Sequence, residues 1–123
     1  MKNINNVSNT MICRLKNIKN INTLQSRQKI EDIVNVICSY NKFNVVSSIN
    51  ATHKDYEYSM LYLLDDCHFS IKTFPETNSL IFHLIFHKNY DHNVCCQIND
   101  FLCQALNADK LSSTIDFDDI TTI

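Results

Sequence analysis

The chain has 123 residues, a formal net charge of -2, 45% hydrophobic residues and 20% charged ones, which excludes intrinsic disorder and holds one domain with one core. With no basic cluster, a nucleic-acid partner is excluded as a first expectation. No apolar run approaches membrane-spanning length and no secretion signal opens the chain, so a soluble, cytoplasmic protein is expected, with no membrane partner.

Residues 1–9 are polar and Asn-rich and read as a loose leader. Residues 10–16 alternate weakly and predict a first strand. Over residues 26–40, Ile30, Ile33, Val34, Ile37 and Cys38 recur at the spacing of an amphipathic helix. Four strand candidates follow, at 43–51, 57–64, 68–74 and 79–87. A second helix is predicted over 91–107, with Val94, Ile98, Phe101, Leu102, Ala105 and Leu106 on its apolar face. Residues 111–117 predict a last strand, and 118–123 read as an acidic tail. The order β-α-β-β-β-β-α-β predicts an α/β (α+β) fold over 10–117: a two-layer sandwich, mostly antiparallel sheet, with two helices on one face.

Strand alternation makes a further point. Leu80, Phe82, Leu84 and Phe86 point to one side of the sheet, and Ile81, His83, Ile85 and His87 to the other. Tyr58, Met60, Tyr62 and Leu64 likewise oppose Leu61 and Leu63. Two helices cover only one face, so the other is expected to meet a partner, as a homodimer or heterodimer.

The six cysteines do not read as a disulfide framework. Cys13, Cys38 and Cys103 sit inside apolar-periodic segments, where a thiol behaves as a small hydrophobe. His83, His87, His92, Cys95 and Cys96 suggest zinc, but the spacing His-x3-His-x4-His-x2-Cys fits no structural zinc pattern. Half-buried interface histidines are the plainer reading, and no metal is expected. Glycine is absent, so turns with positive φ must use Asn or Asp, with Asn41 and Asn78 as candidates.

The segment Asp65-Asp66-Cys67-His68-Phe69-Ser70-Ile71-Lys72-Thr73-Phe74-Pro75-Glu76 carries the most specific signal. It resembles the processing segment of the bacterial-type, pyruvoyl-dependent S-adenosylmethionine decarboxylase proenzymes, Glu-Ser-His-(Ile/Leu)-(Ser/Thr)-Ile-His-Thr-Trp-Pro-Glu. His68, Ser70, Ile71, Thr73, Pro75 and Glu76 match, and Asp66 and Phe74 are close replacements. Tyr58-Ser59-Met60 stands where the family has Val-Ser-Gly, and the element order agrees over about residues 10–117.

The resemblance implies a polyamine-biosynthesis enzyme that cuts its own chain. In the family a serine attacks the preceding carbonyl, the ester β-eliminates, and the new N-terminus becomes a pyruvoyl group that draws electrons from the substrate. Carried over, the roles put Cys67 at the serine and the cleavage between Asp66 and Cys67. Lys72 replaces the histidine that assists processing, and His87 replaces the cysteine that protonates the decarboxylated product. Ser59 matches a serine that supports processing. Glu76 matches the acid that holds the ribose hydroxyls of S-adenosylmethionine, and His53 an aromatic that stacks on its adenine; His68 is retained at the substrate site.

Taken without the resemblance, Cys67 is a buried strand thiol, Lys72 a solvated face position, and Glu76 an ordinary turn acid. Each replacement is chemically capable: a thiol can undergo an N-to-S acyl shift, a lysine can act as a base, and an imidazole can donate a proton. All three must also align, and a misplacement of about 1 Å costs roughly 100-fold. The favoured expectation is therefore an uncleaved homologue that binds S-adenosylmethionine or a related nucleoside, or pairs with an active subunit. The alternative is an active decarboxylase whose pyruvoyl cofactor derives from Cys67. A weaker alternative is a pyruvoyl decarboxylase of another amino acid.

Overall fold

The computed structural model describes residues 7–118. Six strands form one sheet in the order β2-β3-β4-β5-β1-β6, and every neighbouring pair is antiparallel. The strands are β1 (Val7–Leu15), β2 (Val45–Thr52), β3 (Tyr58–Leu64), β4 (Cys67–Phe74), β5 (Ser79–Asp91) and β6 (Thr114–Asp118). Helices α2 (Arg27–Tyr40) and α3 (His92–Leu106), with the single-turn α1 (Ile21–Leu24), bury one face of the sheet. The two-layer architecture expected from the element order is present. Among the described residues no helix is long and apolar enough to cross a membrane.

Both long helices begin at side-chain caps. The Ser26 hydroxyl accepts from the Lys29 N–H at 3.2 Å, and the Asp91 carboxylate from the Asn93 N–H at 2.8 Å. Helix α2 buries Ile30, Val34, Ile37 and Cys38. Helix α3 buries Cys95, Ile98, Leu102, Cys103 and Leu106, so its inner stripe is rotated by about one position from the predicted one. Cys95 and Cys103 lie close to Cys13 of β1, and Val94 and Phe101 pack at the margin.

Several expected boundaries are corrected. The strand β1 starts at Val7, so residues 7–9, read as leader, are strand; Asn9 is buried. Residues 1–6 and 119–123, the rest of the expected leader and tail, lie outside the described residues. Asp118 belongs to β6 and not to a tail. The last strand begins at Thr114 and not at 111, because Asp109 organises a turn there, accepting from the N–H groups of Leu111 and Ser113. Helix α1 was not anticipated: one turn carries too little periodicity, and its Asn20 cap is a local feature.

Without glycine, positive φ falls on Asn17, Lys42, Asp55, Tyr56, Asn78 and Asn107. Asn78 behaves as expected. Asn41 does not: its φ is -92, and Lys42 takes the left-handed position instead. The Asn41 side chain donates to the Ile37 carbonyl at 2.8 Å while Phe43 N–H closes onto Cys38 at 2.8 Å, which puts the reversal one residue later. Asp55 and Tyr56 sit side by side at positive φ in the β2–β3 hairpin, the demand of a tight two-residue turn.

Candidate active site: two clusters at opposite ends of β4

Strand β4 places the motif. Cys67, Phe69, Ile71 and Thr73 face the helices and are buried; His68, Ser70, Lys72 and Phe74 face the open side. The odd offset between Cys67 and Lys72 therefore puts them on opposite faces. Five residues of extended chain also separate them by about 16 Å along the strand.

The first cluster surrounds the Asp66–Cys67 bond. Cys67 is 1% exposed and lies opposite Phe86 of β5. Burial pushes its thiol up to about 12, and the neighbouring Asp66 carboxylate adds through its charge and a hydrogen bond. The Asp66 carbonyl accepts from the His87 N–H at 3.0 Å. Asn44 brackets the preceding residue, donating from its side chain to the Asp65 carboxylate at 3.0 Å. An irregularity in β5 positions His87: β5 takes the five steps from Ile85 to Tyr90 while β1 takes the two from Thr10 to Ser8. The surplus throws His87, Lys88 and Asn89 outward and stacks Phe86 on Tyr90 at 3.8 Å. His87 thus reaches the Asp66–Cys67 bond through its backbone, with an exposed imidazole.

The second cluster lies at the far end of β4, on the open face. Ser59 of β3 sits opposite Lys72. The Lys72 ammonium bonds the Glu57 carboxylate at 2.7 Å and lies 5.8 Å from the Phe74 ring centroid. That hydrogen bond from Lys72 holds the Glu57 carboxyl below its ordinary range. The Ser59 hydroxyl is 2.9 Å from His53 Nε2. Glu76 follows in the 3-10 turn Pro75–Thr77 after β4, exposed. His68 stands apart, half-buried, across from Leu63 and Ile85.

Of the residues the resemblance assigns to one site, the fold gathers Asp66, Cys67 and His87 at one end. His53, Ser59 and Lys72 form the other group, with Glu76 just beyond β4. Glu57 was missed in the sequence, although its place two residues before Ser59 and its charge opposite to Lys72 were both visible. Asn44 and Tyr90 reach the first cluster only through tertiary packing, and no local signal marks them. Among the described residues no group of three or more His, Cys, Asp or Glu side chains is arranged to hold a metal ion. A shallow groove of about 390 Å³ between α2 and α3, lined by Val36, Tyr40 and Phe101 among others, contains none of the motif residues.

All six cysteines are free thiols; Cys96 is exposed and the other five are buried. A thiol-exchange reagent added to native protein should therefore react quickly with one thiol per chain, and with all six after denaturation. Rapid reaction of a second thiol, mapped to Cys67 by peptide mass, would contradict its burial.

Comparison with known proteins agrees with the element order and the motif. The sequence matches the family model described as S-adenosylmethionine decarboxylase over residues 10–115. No curated protein matches the chain. Among solved structures the fold is similar to the crystal structure of the adenosylmethionine decarboxylase from Aquifex aeolicus. The TM-score is 0.72 with 16% sequence identity, over 91% of this chain and 90% of that one. At that identity the likeness concerns the fold, whereas the family match spans most of the chain. This chain belongs to the S-adenosylmethionine decarboxylase family.

Proposed function

We propose that this family member persists as a single uncleaved chain and acts by binding, not by decarboxylation. The observation that carries this reading is the environment of Cys67. Attack on the Asp66 carbonyl needs a thiolate, and a thiol raised to about 12 is ionised to roughly one part in 10⁵ at neutral pH. The Lys72 ammonium is committed to Glu57 on the opposite face and offers no base there. The family is pyruvoyl-dependent, but the residues present here do not fit self-generation of that group. The ligand proposed is S-adenosylmethionine or a related nucleoside, with Glu76 and His53 at its ribose and base. The His87 N–H on the Asp66 carbonyl is what favours the other reading, since a donor there would stabilise charge building on that oxygen.

Intact mass of freshly purified protein separates the two. One species of 14.3 kDa is expected, with no carbon dioxide released from carboxyl-labelled S-adenosylmethionine. Two fragments split between Asp66 and Cys67, the second blocked at its N-terminus, would replace this reading with an active decarboxylase.

The open sheet face supports pairing with a second copy. Ile49 (67%), Leu63 (45%) and Leu61 (38%) are exposed there as one patch. Six strands about 4.8 Å apart give a projected footprint of roughly 500 Å² per copy, or about 1,000 Å² over two, near the threshold of a specific interface. A face that meets a copy of itself across a two-fold axis presents the same patch from both sides.

A further inference from the structure

Cross-strand register puts Ile12, His83, Ser70, Leu61 and Ile49 in one row through the middle of the open face. His83, second in that row, is half-buried. On the β4 side it neighbours Ser70 directly, with His68 and Lys72 on the diagonals; on the β1 side it neighbours Ile12, with Arg14 on the diagonal. The next strand out, β6, sets Asp116 beside Ile12. Strands β2 and β3 contribute no charged group to this part of the face.

The two permanent cations each have a carboxylate. Arg14 pairs with Asp116 and Lys72 with Glu57, whereas His83 has no ion pair among the described residues. Burial already disfavours its charged form, and His68 and Arg14 add to that. We propose that pairing through this face is gated by protons: a charge on His83, beside His68 and Arg14, drives the two copies apart. The gate rests on the reading that the open face meets a second copy. In the pair, His83 loses its remaining water, and the second copy brings an equally charged His83 onto the same dry face. Separation restores hydration, so the separated chain binds the proton more readily. One proton taken up per copy raises the dissociation constant about 100-fold for each pH unit below the transition.

Sedimentation velocity at one protein concentration, near pH 8 and near pH 5.5, tests both layers. The expected result is a dimer at the higher pH and a monomer at the lower, with His83→Gln remaining dimeric at both. Circular dichroism checks that variant's fold. If it does not fold, His68→Gln is read instead, and its dissociation should shift to higher pH, because His68 opposes the charge on His83. A protein that is dimeric throughout, or a folded His83→Gln that dissociates like the parent, overturns the gate and leaves pairing intact. A monomer already at pH 8 overturns pairing itself, and the gate with it.

Discussion

Replacing Phe69 with alanine should lower the unfolding free energy by about 3–5 kcal/mol. Phe69 is fully buried at the centre of β4. It stacks on Tyr62 of β3 with centroids 5.0 Å apart and leans on Phe82 of β5 at 5.1 Å. The substitution removes a ring from three adjacent strands at once, and the flanking rings cannot all move in to fill the void. Small domains have only about 5–15 kcal/mol in total, so the loss would bring the protein close to its unfolding threshold. Urea denaturation measures it as a lower midpoint. Leu111→Ala is the control: Leu111 is 98% exposed, and its removal should change stability by no more than about 0.5 kcal/mol. A cost for Phe69→Ala as small as the control's would mean that β4 does not run through the core. Because Phe69 lies two residues from Cys67 on the same face, the variant should also admit thiol reagents to Cys67.

Mild alkali should destabilise the protein well before its tyrosines and lysines titrate fully. Burial raises the thiols of Cys13, Cys67 and Cys95, the last two to about 12. In the unfolded chain they return to ordinary values near 9. Below that value both states are protonated and the full stability is present. Above it the unfolded state releases protons that the folded state keeps, and stability falls as pH rises toward the folded value. At pH 10 each such thiol contributes a loss of about 1.4 kcal/mol, or about 4 kcal/mol for the three. Urea midpoints between pH 8 and pH 10 should fall at least accordingly, since burial also raises Cys38 and Cys103, and Cys95→Ala should flatten the slope by roughly a fifth to a third. A slope unchanged in that variant would show that Cys95 is not the buried, protonated group described.

The secondary structure was largely legible because both of its periods are strong. Alternation in residues 57–64 and 79–87 predicts β3 and the first part of β5, and the i, i+3, i+4 spacing in 26–40 predicts α2. Errors gathered where the chain follows contacts instead of a pattern. The β1 strand extends back to Val7 because Ser8 and Val7 pair with Tyr90 and Asp91 far along the chain. The rotation of α3 toward Cys95 and Cys103 brings both thiols close to Cys13 of β1, a contact between distant segments. The outward excursion of His87 depends on a surplus of residues in β5 relative to β1, and only the pairing of the two strands defines a surplus.

The family resemblance is local, so order alone carries it: His68, Ser70, Ile71, Thr73, Pro75 and Glu76 match, and the proposed cleavage between Asp66 and Cys67 and the proposed substitutions at Cys67, Lys72 and His87 follow from that alignment. Even the opposite facing of Cys67 and Lys72 follows from their odd spacing once the segment is known to be a strand. Tertiary structure decided which of those faces is solvent and which is core. It buried the Cys67 thiol, brought Glu57 to Lys72, and delivered the His87 N–H to the Asp66 carbonyl. The reason is physical. Residue identity and spacing set what a side chain is able to do, whereas water access and the nearest charge set its protonation state. Both of those belong to the packed sheet and helices, and to no single segment.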